Sequence, residues 1–178
     1  SLAGYTPTRN HIIVNELDNV KNRLYVLTPG ADGWKREPLP GLPEFGTISA
    51  SAVDATDSDA YFVTVTDFLT PTSLLYGEIG KGTPEALKSM PAFFDASGLA
   101  VSQHEATSAD GTRVPYFQVA QKDLKLDGQN PTVLYGYGGF EVSMTPSYSA
   151  SIGDSWLNKG GVYVVANIRG GGEFGPKW

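Results

Sequence analysis

Two glycine-rich segments hold the residues of this sequence best suited to chemistry. The first is Tyr135-Gly136-Tyr137-Gly138-Gly139-Phe140, at the end of a short apolar run, residues 132–136. Its three glycines let the backbone turn sharply or lie close to a ligand. Tyr137, between two of them, would be carried on a tight loop with its hydroxyl free. A phenol can donate a hydrogen bond to a developing oxyanion. A glycine-rich turn with buried aromatics explains the same residues equally well. The second segment is Arg169-Gly170-Gly171-Gly172-Glu173-Phe174-Gly175. Gly170, Gly172 and Gly175 formally match GxGxxG, the dinucleotide fingerprint. Pro176 follows at once and no acidic ribose ligand comes after, so a tight loop beneath an active site is the better reading.

The usual partners of an oxyanion donor are missing. No GxSxG elbow and no SxxK pair occur. His11 is expected to open a strand, and His104, within Ser102-Gln103-His104-Glu105, to face solvent from mid-strand. Neither has a serine and carboxylate arrangement around it in the sequence. There are no cysteines, which excludes disulfides, thiolate zinc sites and cysteine nucleophiles. The two histidines are far apart and form no HExxH, so no metal site and no cofactor is expected. Asp54-Ala55-Thr56-Asp57-Ser58-Asp59 resembles a calcium loop only loosely. It lacks the central glycine and distal glutamate and reads as an exposed turn.

The elements that must position these segments are mostly strands. Segments 11–17, 23–28, 46–53, 60–68 and 72–79 are apolar runs broken by turn residues such as Thr28-Pro29-Gly30 and Gly80-Lys81-Gly82. A shift of about 51 residues superposes 11–17 on 62–68, Leu24-Tyr25 on Leu75-Tyr76 and Leu39-Pro40 on Met90-Pro91. A period of about 40–50 residues with four strands per unit describes propeller blades, and two antiparallel meanders would look alike. Two blades cannot close a ring, so further blades are expected. The pattern changes near residues 91–98. Segments 99–107 and 113–120 flank Ser108-Ala109-Asp110-Gly111-Thr112 as a hairpin. Strand 132–136, a helix over 151–159 ended by Gly160, and a strand over 162–168 buried on both faces form a parallel βαβ crossover. An antiparallel hairpin followed by such a crossover opens a mixed α/β sheet, which two parallel strands do not complete.

Composition narrows the function classes. The chain has 178 residues, with 40% hydrophobic and 18% charged, which is the balance of a folded protein. Its 21 glycines and 12 prolines make turns frequent and favour strands over a helical bundle. The net charge of −6 offers no phosphate-attracting field, so nucleic acid is not an expected partner. No apolar run approaches a membrane span, and no membrane association is expected. The first residues are not a signal peptide. The compartment stays unassigned, with cytoplasm and periplasm both compatible.

Several motifs taken together resemble a known family. Asp127-Gly128-Gln129-Asn130-Pro131, Tyr135 to Phe140, Thr145-Pro146-Ser147-Tyr148-Ser149, and Ala166-Asn167-Ile168-Arg169 to Gly175 occur in order at close spacing. Phe68-Leu69-Thr70-Pro71, Ser108 to Thr112 and Leu124-Lys125-Leu126-Asp127-Gly128 add to them. The sequence resembles the prolyl oligopeptidase family of serine peptidases over essentially its whole length. That resemblance implies a seven-bladed β-propeller joined to an α/β-hydrolase domain. Residues 1–95 would be about two C-terminal blades, and 96–178 the opening strands of an incomplete hydrolase domain. It further implies that Tyr137 supplies half of an oxyanion hole and that Phe140 lines an apolar pocket for the substrate proline. Tyr135, Arg169 and Glu173 match family positions in a structural capacity. The family's serine, aspartate and histidine have no counterpart here. The implied parent hydrolyses short peptides after proline through an acyl-enzyme, although related members cleave after basic residues and share the glycine-rich loop. This chain alone is expected to be inactive and to associate with itself or with the remainder of the parent polypeptide. The alternative is a non-catalytic propeller-type binding module.

Overall fold

Alternating apolar residues fold the first half of the chain into two antiparallel sheets of four strands. The computed structural model describes residues 1–178. The first sheet contains β1 (Leu2–Pro7), β2 (Ile12–Asp18), β3 (Lys21–Gly30) and β4 (Gly33–Pro38), side by side in chain order. The second repeats that order with β5 (Thr47–Ala52), β6 (Ala60–Thr66), β7 (Ser73–Glu78) and β8 (Glu85–Ser89). Equivalent strands begin at Leu2 and Thr47, Ile12 and Ala60, Lys21 and Ser73, and Gly33 and Glu85. A single fixed shift therefore matches only approximately. The cause is the connections. Strands β2 and β3 are joined by Asn19 and Val20 alone, whereas residues 67–72 separate β6 from β7. Asn19 and Val20 both have positive φ, 47° and 63°, as a two-residue turn between twisted strands requires. A β-branched residue is strained there. Val20 is fully buried, which offsets that strain with apolar burial.

Ile13, Leu24, Val26, Leu39, Ile48, Tyr61 and Val63 form the core shared by these two sheets. Polar groups also join them. Buried Asn22 donates to Asn15 Oδ1 (2.8 Å) and accepts from the Ile48 amide (3.0 Å), while Asn15 Nδ2 donates to the Ile48 carbonyl (2.7 Å). Asp59 accepts from Thr8 Oγ1 (2.7 Å), the Asn10 amide (2.8 Å) and Asn10 Nδ2 (2.6 Å). The 54–59 segment is a capped turn, in which Asp54 Oδ1 accepts from the amides of Thr56 and Asp57.

By its contacts the chain divides into Ser1–Asp67 with Pro71–Met90, and Phe68–Thr70 with Pro91–Trp178. The second unit holds β9 (Leu99–Thr107), β10 (Arg113–Gln121), β11 (Thr132–Gly136) and β12 (Val162–Ala166), in the order β11-β12-β10-β9. β10 pairs antiparallel with both β9 and β12, and β12 pairs parallel with β11. The sheet is therefore mixed. Phe68 packs on Phe117 and Tyr163, with ring centroids 5.6 and 6.3 Å away.

Two local expectations are corrected. The helix over 151–159 is instead α1 (Ala150–Ser155), capped by Ser149, followed by a 3-10 turn at Leu157–Lys159. The break falls at Trp156, whose backbone leaves the helical region at φ −124° and whose indole nitrogen donates to the Val162 carbonyl (2.8 Å). Gly160, left-handed at φ 86°, ends the turn. The last strand stops at Ala166, and only Val162 and Val165 are fully buried along it. Its neighbour β11 is exposed throughout, because it forms the edge of the sheet with β12 as its one partner.

Candidate active site

The parallel register of β11 and β12 runs from Thr132 opposite Val162 to Gly136 opposite Ala166. Both glycine-rich segments therefore leave the sheet at the same end, where α/β proteins carry ligand-facing loops. The Tyr137 loop follows β11 and the Arg169 loop follows β12.

The two loops interlock through backbone contacts that only glycine permits. A Cβ on Gly138 would overlap the Arg169 carbonyl oxygen, and one on Gly170 would overlap the Gly138 carbonyl oxygen. Gly170 also has φ 95°. The Glu141 amide donates to the Gly170 carbonyl (3.2 Å), and the Val142 amide to the Gly139 carbonyl (3.1 Å). Beneath them lies a buried polar bracket. Asn167 and Glu173 are both fully buried. Asn167 Nδ2 donates to the Met144 carbonyl (2.7 Å) and to Glu173 Oε1 (3.1 Å), and the Met144 amide donates to the same carboxylate oxygen (2.8 Å). Residue 144 is thus held at both its amide and its carbonyl, which fixes where the first loop ends.

Phe140 and Glu141 are left-handed, with φ 55° and 54°, although neither is glycine. Consecutive residues in that region store strain of the kind found at functional loops. The kink turns the Phe140 ring outwards, where it is 94% exposed. Tyr137 is 40% exposed. Its phenol lies beside Gly139, where a Cβ would come within 2.8 Å of the hydroxyl oxygen. The sequence brings Tyr137 and Phe140 onto one strained loop, with the phenol accessible and the phenyl ring unpacked.

A third element reaches this site. Arg169 pairs with Asp110, and its guanidinium also donates to Ser108 Oγ (3.0 Å) and Thr112 Oγ1 (3.4 Å). All three acceptors belong to the turn between β9 and β10. The Thr112 amide and the Arg169 guanidinium together hold the Asp110 carboxyl far below the usual carboxylate range. The sequence marks residues 108–112 as a hairpin turn but gives no sign of this pairing. Asn167 is likewise missed as part of the bracket.

Neither histidine forms a catalytic arrangement. His104 Nε2 lies 2.8 Å from Ser102 Oγ, but the pair sits on exposed β9 and the imidazole has no carboxylate partner. Glu105 is engaged with Arg113 instead. His11 Nδ1 meets Thr28 Oγ1 (2.8 Å), with Asp59 4.0 Å from the other ring nitrogen, in the first unit. No group of three or more His, Cys, Asp or Glu side chains is assembled for a metal. In the GxGxxG-like segment, Gly170 and Gly172 pack against the carbonyls of Gly138 and Glu141, and Gly171 faces the Glu173 carboxylate.

No protein-family model matches the sequence. An uncharacterized peptidase of Sinorhizobium fredii is 51% identical over 178 residues, 100% of this chain and 24% of that protein. The prolyl endopeptidase of Elizabethkingia miricola is 39% identical over 137 residues, 77% of this chain and 19% of the enzyme. A solved prolyl oligopeptidase B of Galerina marginata, bound to a 35mer hydrolysis and macrocyclization substrate, superposes with a TM-score of 0.86 at 29% identity, covering 100% of this chain and 25% of that one. The chain is homologous to peptidases of the prolyl oligopeptidase family. It spans about a quarter of the length of these family members. Both interlocked loops lie within the stretch matched to the Sinorhizobium peptidase.

Proposed function

We propose that this chain is the part of a serine oligopeptidase that carries one half of the oxyanion hole, and that the whole enzyme cleaves short peptides after proline. Residues 1–95 are, on this reading, two propeller blades, and 96–178 the first strands of the α/β-hydrolase domain. The observation that carries it is the Tyr137 loop itself, a strained and interlocked turn at the end of a parallel strand with an accessible phenol. The homology to this family and the names of its relatives support the substrate class.

The chemistry follows from what each group can do. A serine hydroxyl supplied by the rest of the enzyme adds to the scissile carbonyl and loses its proton to an imidazole. The C–O π bond opens and negative charge collects on the carbonyl oxygen. The Tyr137 O–H donates to that oxygen, and a fixed donor is strongest where charge develops during the reaction. The amine then leaves with the imidazole's proton, and water releases the acyl group by the reverse sequence. Phe140 offers a flat apolar face to a proline ring. Its exposure in this chain is consistent with a pocket completed by other parts of the enzyme.

The chain alone has no serine, base and orienting acid in contact, so it hydrolyses nothing by this route. Kinetics on the full-length enzyme test the specificity. Short peptides with proline at the cleaved position should be preferred over the same peptides with lysine. Phe140→Ala should lower kcat/KM more for proline than for alanine peptides. Equal losses on both would remove Phe140 from the pocket. A full-length protein that cleaves neither peptide would favour a binding module instead.

A further inference from the structure

We infer that Arg169 is a positioning residue for the Tyr137 hydroxyl, held in place by the β9–β10 turn through Asp110. This rests on the oxyanion role proposed for Tyr137. An exposed ion pair alone is worth little, and Arg169 and Asp110 are both partly exposed. The arrangement here is more than a pair. One planar guanidinium meets Asp110, Ser108 and Thr112 on a single turn. That turn is itself closed by hydrogen bonds from the Ser108 amide to the Thr112 carbonyl (2.8 Å) and from the Gly111 amide to the Ser108 carbonyl (2.9 Å). The Thr112 amide also donates to Asp110 Oδ1 (3.0 Å), which fixes the carboxylate. Several acceptors on a rigid turn set the direction of a guanidinium in a way that a lone acceptor does not.

The other end of Arg169 touches the Tyr137 loop. Its carbonyl oxygen lies against Gly138, the residue after Tyr137. The next carbonyl, of Gly170, accepts from the amide of Glu141, the residue after Phe140. These two attachments hold the loop on either side of Gly139 and Phe140, the second of them at Glu141, which is left-handed like Phe140. The side chain of Arg169 is thus anchored on one element while its backbone pins the loop of another. If the anchor is released, the loop can relax its left-handed residues and move the phenol. Displacements of about 1 Å at a reacting centre cost on the order of 100-fold in rate.

A double-mutant cycle on the full-length enzyme, with a short post-proline substrate, separates positioning from a merely structural role. Asp110→Asn keeps an acceptor for the Thr112 amide and removes the charge that holds Arg169. It should lower kcat about 10- to 100-fold with little change in KM. In a Tyr137→Phe background the same substitution should cost nothing further, because the hydroxyl it positions is already gone. Ser108→Ala, which removes one acceptor and leaves the ion pair, should give a smaller loss in the same direction. Thermal melts of each variant exclude global unfolding as the cause. If Asp110→Asn leaves kcat unchanged, or if its loss multiplies with that of Tyr137→Phe, the positioning role is wrong while the oxyanion role stands. If Tyr137→Phe alone leaves kcat unchanged, the oxyanion role fails and the positioning role with it.

Discussion

A methyl group on Gly170 would need the space of the Gly138 carbonyl, in a backbone conformation that side chains rarely adopt. Both penalties act on the contact that joins the two loops. Gly170→Ala should therefore lower the unfolding free energy of the second unit by about 1–3 kcal/mol. Chemical denaturation measures it, and a loss below about 0.5 kcal/mol, the size of an ordinary surface substitution, would contradict the interlock. Asn22 poses the corresponding question in the first unit. Its side chain joins Asn15 to the Ile48 amide in a buried site. Asn22→Ala strands both groups and should cost about 1–3 kcal/mol. An Asn22→Ala protein as stable as the parent would mean that water replaces those bonds at no cost.

At the scale of elements, the turns carry charge that responds to pH. Burial pushes the Asp59 carboxyl up, but the side-chain and backbone donors of Asn10, the Thr8 hydroxyl and the nearby His11 outweigh it and leave it below the usual range. A carboxyl lowered in the folded state stabilises above its unfolded value, about 3.9, and that contribution is lost as the pH falls through the folded value. Asp59→Asn should therefore be less stable than the parent at pH 7, with the gap closing as the pH drops below about 4. A gap of constant size down to pH 2 would assign the effect to packing. The central strands were legible in the sequence because Ile12-Ile13-Val14, Leu24-Tyr25-Val26-Leu27 and Tyr61-Phe62-Val63 are apolar runs set off by turn residues. β1, β4 and β8 were not. They are sheet edges, and β4 and β8, with Lys35, Arg36 and Glu37 or Glu85 and Lys88, are exposed throughout, so neither shows apolar alternation. The Tyr137 loop was legible through its glycines. The left-handed Phe140 and Glu141 were not, since neither residue type signals positive φ. The Arg169–Asp110 pair spans 59 positions, and only the antiparallel pairing of β10 with β12 brings those ends together.

The whole chain presents one open parallel edge. β11 has a neighbour on one side, and Val133, Leu134 and Tyr135 are exposed along it. Unpaired strand edges with apolar side chains recruit other strands. The 178-residue chain expressed alone should associate in solution. Light scattering that reports a monodisperse 19.0 kDa monomer would contradict this. Loading the edge with lysine at Leu134, 71% exposed, should shift the distribution towards monomer without unfolding the sheet. On the reading proposed above, the chain's own contribution to catalysis is a single phenol, that of Tyr137. The most direct test is the steady-state hydrolysis of a short post-proline peptide by the full-length enzyme and its Tyr137→Phe variant. Loss of one oxyanion donor should lower kcat by roughly 10- to 1000-fold, with KM and the melting temperature nearly unchanged. A Tyr137→Phe enzyme with the parent's kcat would show that this loop does not serve the oxyanion.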